Sequence, residues 1–565
     1  MSHHFTTVDL RVTIRILLVS DGAIELWDTP AEPREIPNKT GFSLREMAKA
    51  LWVPPPGHYP YTRFAIDHAV HGTGNFEKKL REVTVDGRSH SWTEIRGFRF
   101  DANQVQLNNY SQIWLFGFWP GNPNNKLPAD RVQLSQAELH RLTTWMNAGG
   151  GVFATGDHGL LGAHLAGDVP RVRSMRRWAH RGFQDDVPSP DQVDRVDTIV
   201  PVRTVDGLPA IKFEDQSDNV PKRVFPKRYT LWDGRVASSN QVLERAAPHP
   251  VLCCPLGPID VLPDHMHEGL VRQDDEVFSD AKDITGAPEF PGGLHGPRPE
   301  VISWTSVRGG DAIYDDMPGP TQDSFSKSVL HRGHVAVTSV YDGQRAGVGR
   351  VVVDSTWHNW LDINVTGLGE PNTTGLLGKN LELTHYYFRN IAQWLASPET
   401  REAMRSGLLF HAVTSTGGWS ELNGLTAQLG ERAHDVLGRV ASECERTGLV
   451  FEPWWDAMRF ADILGNRTHV LPLPSKAHMS RRILGAMTEA VFASLPELEL
   501  TNRSAQHDEG EFGAGVRLLV RRLREARKRG IRLLSEEWRE SLNATGKLLD
   551  AFEEAACENE TQSAD

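Results

Sequence analysis

The sequence predicts an α/β protein. A doubly wound, mostly parallel sheet is expected over residues 1–397, with a large insertion at 170–330, followed by an all-helical C-terminal domain at 398–565. Three observations predict this. Short, continuously apolar runs such as RILLVS (15–20), QIWLFG (112–117) and GRVVVD (349–354) have the composition of strands covered on both faces. Each run ends in a polar or glycine-rich turn, and helical periodicity lies between them. After Pro398 the pattern changes to long helices without convincing strands, closing in an acidic tail.

Taken in order, RILLVS ends at Asp21-Gly22, which sets Asp21 at a strand tip. Phe42 to Trp52 has helical spacing, with Ser43 as N-cap, Glu46 completing a capping box and Pro54-Pro55-Pro56 as the stop. RFAIDHAV (63–70) alternates as a second strand, and residues 76–108 read as an irregular insertion with short strands. QIWLFG is a third strand, and Ser135 to Asn147 is a helix capped by Ser135 with Glu138 at its third position. That helix ends in Asn-Ala-Gly-Gly-Gly, a C-cap and tight loop. It feeds the strand Val152 to Ala154, which breaks at Thr155-Gly156-Asp157-His158-Gly159. Open α/β sheets place their ligands just beyond such strand ends.

Periodicity is poor from about 163 to 329, too long for a structureless loop, so this region should carry its own short elements. Candidates are a basic helical piece at Val169–Gly182 and a strand at Asp197–Val202. HVAVTSVY (334–341) and GRVVVD are strands, the second running into Ser355-Thr356-Trp357-His358-Asn359-Trp360. Leu383 to Leu395 is helical, with a boundary at Pro398. Leu425–Val440 and Val516–Leu523 form amphipathic helices, the latter ringed by Arg517, Arg521, Arg522, Arg524, Arg527, Lys528 and Arg529. Such a cluster suits an acidic partner, although a solvated face with intrahelical pairs is the commoner meaning. A protein partner or self-association through this region is one expectation.

Composition narrows the function classes. A net charge of −12 argues against general nucleic-acid binding. Cys253, Cys254, Cys444 and Cys557 are too few and scattered for a disulfide framework, and adjacent Cys253 and Cys254 read as small buried hydrophobes. No apolar run suits a membrane span and MSHHFTTVDL does not resemble a signal peptide, so a cytoplasmic protein without membrane partners is expected. Walker, GxSxG and HExxH signatures are missing.

The runs RILLVSDG, YSQIWLFG, NAGGGVFATGDHG, GVGRVVVDSTWHNW and YYFRNIAQWL, in that order, resemble the class I glutamine amidotransferase-like superfamily, particularly its trehalose-utilisation-like branch. The resemblance covers about 12–170 and 330–397 and implies a flavodoxin-like strand order. In glutamine-hydrolysing members a cysteine occupies the turn matched by GGGVFATG; here that turn offers Gly156-Asp157-His158. The histidine that follows the late strand is matched by His358. Glutaminase chemistry through a thioester is therefore not expected. The trehalose-utilisation-like members also lack the cysteine, and that likeness implies a sugar or related polyol as ligand.

Tips of neighbouring central strands share one crevice. Asp157 and His358 are thus the candidate proton-transfer pair, with His158 and Asp354 supporting. Asp21, Trp357 and Gly156 are candidates for binding substrate. The plainer alternative is that Asp157 and Asp354 cap helix N-termini and that the tryptophans pack in core or loops. A divalent metal is a further option, with His265, His267 and Glu268 as candidate ligands and Zn, Mn or Fe suited to the donors. No pair has a diagnostic spacing, and 23 histidines make chance clusters expected. Two functions follow: an enzyme using non-cysteine acid/base or metal-assisted chemistry, hydrolase or isomerase, on a small polar and saccharide-like molecule; or a catalytically inactive binding or regulatory protein whose helical domain docks a partner.

Overall fold

The structure is a computed structural model. It describes residues 10–22, 24–27, 42–55, 62–119, 133–157, 161–176, 211–212, 221–236, 242–263, 281–293, 296–307, 329–330, 333–367, 375–415, 426–441, 446, 449, 476–504 and 513–562. His158, His265, His267, Glu268 and the expected strand at 197–202 lie outside the described residues.

The sheet strands are β1 (Val12–Ser20), β2 (Thr62–His71), β3 (Glu77–Val85), β4 (Arg88–Phe98), β5 (Gln112–Phe116), β6 (Gly151–Thr155), β7 (Lys222–Pro226), β8 (Val261–Leu262), β9 (Glu300–Val307), β10 (Gly333–Tyr341) and β11 (Val351–Asp354). They form one sheet in the order β8-β7-β9-β10-β11-β6-β5-β1-β2-β4-β3. Its centre is parallel: β11 pairs with β6, β6 with β5 and β5 with β1 in one direction. Antiparallel strands extend it at both margins, from β11 out through β10, β9, β7 and β8, and at β3–β4. The 170–330 region thus adds three strands to the main sheet.

Strand periodicity sorts the core. Leu17, Val19, Ile113, Leu115, Val152, Ala154, Val351 and Val353 pack with Leu139, Leu142 and Met146 of α2 (Gln136–Asn147). Trp114, Phe153 and Trp360 cluster on the intervening positions, with Trp360 4.5 Å from Phe153 and 4.6 Å from Phe388 of α3 (Gly378–Leu395). Helix α1 (Arg45–Trp52) packs on α3. Covering on both faces explains the unbroken apolar runs of β1, β5, β6 and β11.

The Ser135–Glu138 capping box forms as expected. The one expected at Ser43 does not: α1 starts after Leu44 with no side-chain cap of its own. Its cap comes from Asp362, whose carboxylate accepts the N–H of Arg45 at 3.1 Å and of Glu46 at 2.8 Å, and the Ser43 hydroxyl. Residues 76–108 are also more regular than expected. β3 and β4 form a hairpin turning at Asp86-Gly87, both with positive φ (47° and 74°), the geometry that Asp-Gly favours in hairpins. Their sparse apolar content suits strands at a sheet margin.

The chain divides into two compact units. One comprises Thr13–Arg228 and Pro248–Arg401, and the other Met1–Val12, Tyr229–Ala247 and Glu402–Asp565. Pro398 opens helix α4 (Pro398–Ser415), a first-turn position where its missing N–H costs little. The division falls three residues later. In the second unit α6 (Lys476–Ser504) packs against α5 (Thr426–Val440) and α7 (Ala514–Gln562). Arginines of α7 pair between helices: Arg529 with Glu489 at 2.6 Å, Arg522 with Glu497 at 3.0 Å, and Arg524 and Arg527 with Glu402. Among the described residues no helix is long and apolar enough to cross a membrane.

Candidate active site

Strands β6 and β11 lie side by side and parallel, so the turns after them emerge together. The two turns are joined directly, with the Trp357 N–H donating to the Gly156 carbonyl at 2.8 Å. Arg176, fully buried, donates to the carbonyls of Asp157 at 2.7 Å and Ser355 at 3.2 Å and ties the same turns from behind. Within the turn after β6 the backbone folds closely on itself: a Cβ on Gly162, whose φ is 93°, would sit 2.6 Å from the Gly156 Cα.

This arrangement brings Asp157 and His358 together, with Oδ2 and Nε2 3.3 Å apart. The Thr356 hydroxyl donates to the other Asp157 oxygen at 3.1 Å and itself accepts the His358 N–H at 3.1 Å. The second ring nitrogen, Nδ1, faces Asn364 Oδ1 at 3.2 Å. Both atoms facing the ring are acceptors, so this geometry suits a ring carrying hydrogen on both nitrogens. A neutral ring is equally well held once the Asn364 amide turns to donate to Nδ1. The side chains are graded in access, His358 being 14% exposed and Asp157 2%. Solvent and solutes therefore meet the imidazole, with the carboxylate behind it.

Asp354 sits in a different setting. Its oxygens accept from Tyr387 at 2.8 Å, Trp360 and Asn359 at 3.1 Å and the Thr356 N–H at 3.3 Å. Burial pushes its carboxyl up to about 6, although all four hydrogen bonds pull downward. It organises the turn that carries His358. Asp21 is likewise buried and accepts the N–H groups of Phe118 and Trp119, both at 2.7 Å, fixing the loop after β5. Trp357 is buried and stacks on Phe118 with ring centroids 5.2 Å apart. Its indole N–H has no hydrogen-bond partner among the described residues, an unusual state for a buried donor.

Thr356, Asn364 and Arg176 were not singled out by sequence reasoning. Thr356 lies inside the STWHNW run, but Asn364 and Arg176 carry no local signal, because their roles depend on elements brought in from elsewhere. Cys253 and Cys254 are buried and form no disulfide, and the Cys254 thiol donates to the Gly257 carbonyl at 3.3 Å. Among the described residues no three His, Cys, Asp or Glu side chains gather as a metal site.

Compared with known proteins, the chain matches no family model and no curated protein.

Proposed function

We propose that the chain is an enzyme of the class I glutamine amidotransferase-like type, close to the trehalose-utilisation-like branch, that has no cysteine nucleophile and works by acid/base chemistry on a small polar, saccharide-derived molecule. The observation that carries this reading is the 3.3 Å approach of His358 to Asp157 across 201 residues of sequence. His358, the more accessible member, exchanges protons with the substrate or an attacking water. Asp157 orients the imidazole and balances its charge, as a carboxylate behind a general base does. Thr356 and Asn364 hold the pair in register. The Trp357 indole, without a partner among the described residues, can only donate, so it favours a substrate offering an oxygen acceptor.

The strand neighbours β2-β1-β5-β6-β11 support the flavodoxin-like part of the reading. Numbered by their order in the chain these are 2-1-3-4-5, the order of one common doubly wound sheet, whose ligands lie beyond the strands' carboxyl ends.

The test is a thermal-shift screen of neutral and acidic polyols and sugar derivatives on wild type, followed by NMR of each hit for turnover. Conversion by wild type and its loss in His358→Gln is the expected result. Hits that bind both proteins alike and are never converted would sink the enzyme reading in favour of a binding protein. Elemental analysis of wild type and His358→Ala decides whether the chemistry is metal-assisted: a near-stoichiometric metal lost in the variant would place it at these turns.

A further inference from the structure

Helix α7 carries its charge in two blocks. Arg517, Arg521, Arg524, Lys528 and Arg532 recur at helical spacing on one face, and each is exposed. Carried on along the helix, the same spacing reaches Asp550, Glu553, Cys557 and Glu560. Between the blocks, Arg539 is flanked in sequence by Glu536 and Glu540. This order is the reverse of what a lone helix prefers, since acids stabilise a first turn and bases a last one. α7 has no acid in its first turn and no base in its last.

The basic block is more than the bundle uses. Arg522 and Arg529, on another side of α7, pair with Glu497 and Glu489 of α6, while Arg524 and Arg527 reach Glu402 of α4. Arg521, Lys528 and Arg532 face away from these contacts. Glu525 is the only acid from Ala514 to Ser535, so intrahelical pairing balances little of the block.

α6 also stops short of the far end. The pairs Arg522–Glu497, Arg529–Glu489 and Arg482–Glu537 fix its antiparallel register on α7. In that register Lys476, the first residue of α6, falls beside Asn543. Residues 544–562 run on past it, about 28 Å of helix. There Leu548, Phe552 and Ala555 continue the apolar stripe of Leu519, Leu523, Ala526 and Leu534, which is buried in the bundle.

We propose that α7 pairs antiparallel with α7 of a second copy of this chain, the basic block of each lying along the acidic block of the other. One register serves both blocks. With the two-fold axis near Arg539, Arg517 lies opposite Glu560 of the second copy, Arg524 opposite Glu553 and Lys528 opposite Asp550, and symmetry repeats each pair. A polyanion would meet the basic block and be repelled by the acidic one. A second copy complements both, and it also lies along the stretch that α6 does not reach.

The test is sedimentation velocity of the full-length protein from about 1 to about 100 μM, at low and at high salt. A dimer is expected at low salt, loosened as salt rises. Lys528→Glu should weaken it about tenfold, since two contacts per dimer become repulsive, and Asp550→Lys should do the same. Combining the two reversals should return the affinity to within about threefold of wild type. Oxidation with diamide reads the orientation. Arg521→Cys sets a thiol opposite the native Cys557 of the second copy, so this variant should form a reducible covalent dimer that adding Cys557→Ser abolishes. Wild type should not cross-link, because the two copies of Cys557 lie about 54 Å apart in this register. Monomer at every concentration, wild-type affinity in Lys528→Glu, no rescue by the double reversal, or cross-linking through Cys557 alone would each overturn the proposal. Monomeric protein that binds phosphatidylserine vesicles would overturn it in favour of an anionic surface.

Discussion

The Tyr387 hydroxyl donates to Asp354 at 2.8 Å and lies 3.1 Å from the Thr338 hydroxyl. With its proton committed to the carboxylate, Tyr387 accepts from Thr338, and the chain of bonds runs from β10 through α3 to the turn bearing His358. Burial and the nearby carboxylate hold the phenol well above its ordinary value. Tyr387→Phe removes one of four donors from a buried carboxylate and should cost about 1–3 kcal/mol. Chemical denaturation reads this as a lower midpoint at unchanged slope; an unchanged midpoint would show that the other three donors suffice.

Asp362 is the second buried carboxylate with a structural task, the cap of α1. Asp362→Ala strips both the backbone donors of that helix start and the Ser43 hydroxyl of their acceptor, a loss of about 2–3 kcal/mol. Ser43→Ala should cost less, since the backbone donors keep their partner. Equal losses for the two variants would argue that the cap acts mainly through Ser43.

Between mildly acidic and mildly basic pH, the buried carboxylates Asp354 and Asp362 lower stability as pH rises, and the buried imidazoles of His68 and His249, brought down to about 4 and about 3, raise it. Burial raises Asp354 to about 6 and Asp362 to about 7, from an unfolded value of 3.8. Groups raised in the folded state contribute stability that is full below the unfolded value and lost as pH passes the folded one. Glu46 and Glu138 are held low by partners, so their losses lie at more acidic pH, outside this window. Asp362→Asn removes one carboxylate's share, so the melting temperature of the variant relative to wild type should rise between pH 5 and pH 8. An unchanged gap between Asp362→Asn and wild type at the two pH values would contradict this.

Gly162→Ala tests the close packing of Gly162 on Gly156 within the turn after β6. The left-handed φ and the 2.6 Å approach to Gly156 leave no place for a methyl group, so the loss should be at least about 1 kcal/mol. Because the backbone of Gly156 anchors Trp357, the His358 imidazole resonances should shift as well. Unmoved resonances would separate turn packing from site geometry.

Much of the central sheet was legible because a strand covered on both faces leaves an unbroken apolar run, as RILLVS and GRVVVD do. The meeting of Asp157 and His358 was legible for a related reason: both follow such runs, and buried strands of a parallel sheet release their turns at one edge. Local rules failed where a distant group won. Ser43 and Glu46 satisfy a capping box on paper, but Asp362 offers two carboxylate oxygens to the same donors. Strands β3 and β4 were harder to read because one-sided burial at a margin leaves mostly polar residues, although Asp86-Gly87 marked their turn. Thr356, Asn364 and Arg176 matter only once other elements surround them, and no spacing announces that.

The remote cap also has a consequence for synthesis. Helix α1 leaves the ribosome with its first turn open, and the acceptor that closes it is encoded 316 residues further on. At about 5–20 residues per second the nascent helix waits roughly 15–60 s for its partner. The first strand–helix pair of this sheet is therefore a late product of translation despite its early place in the chain, and during that interval its exposed apolar face is what chaperones would meet.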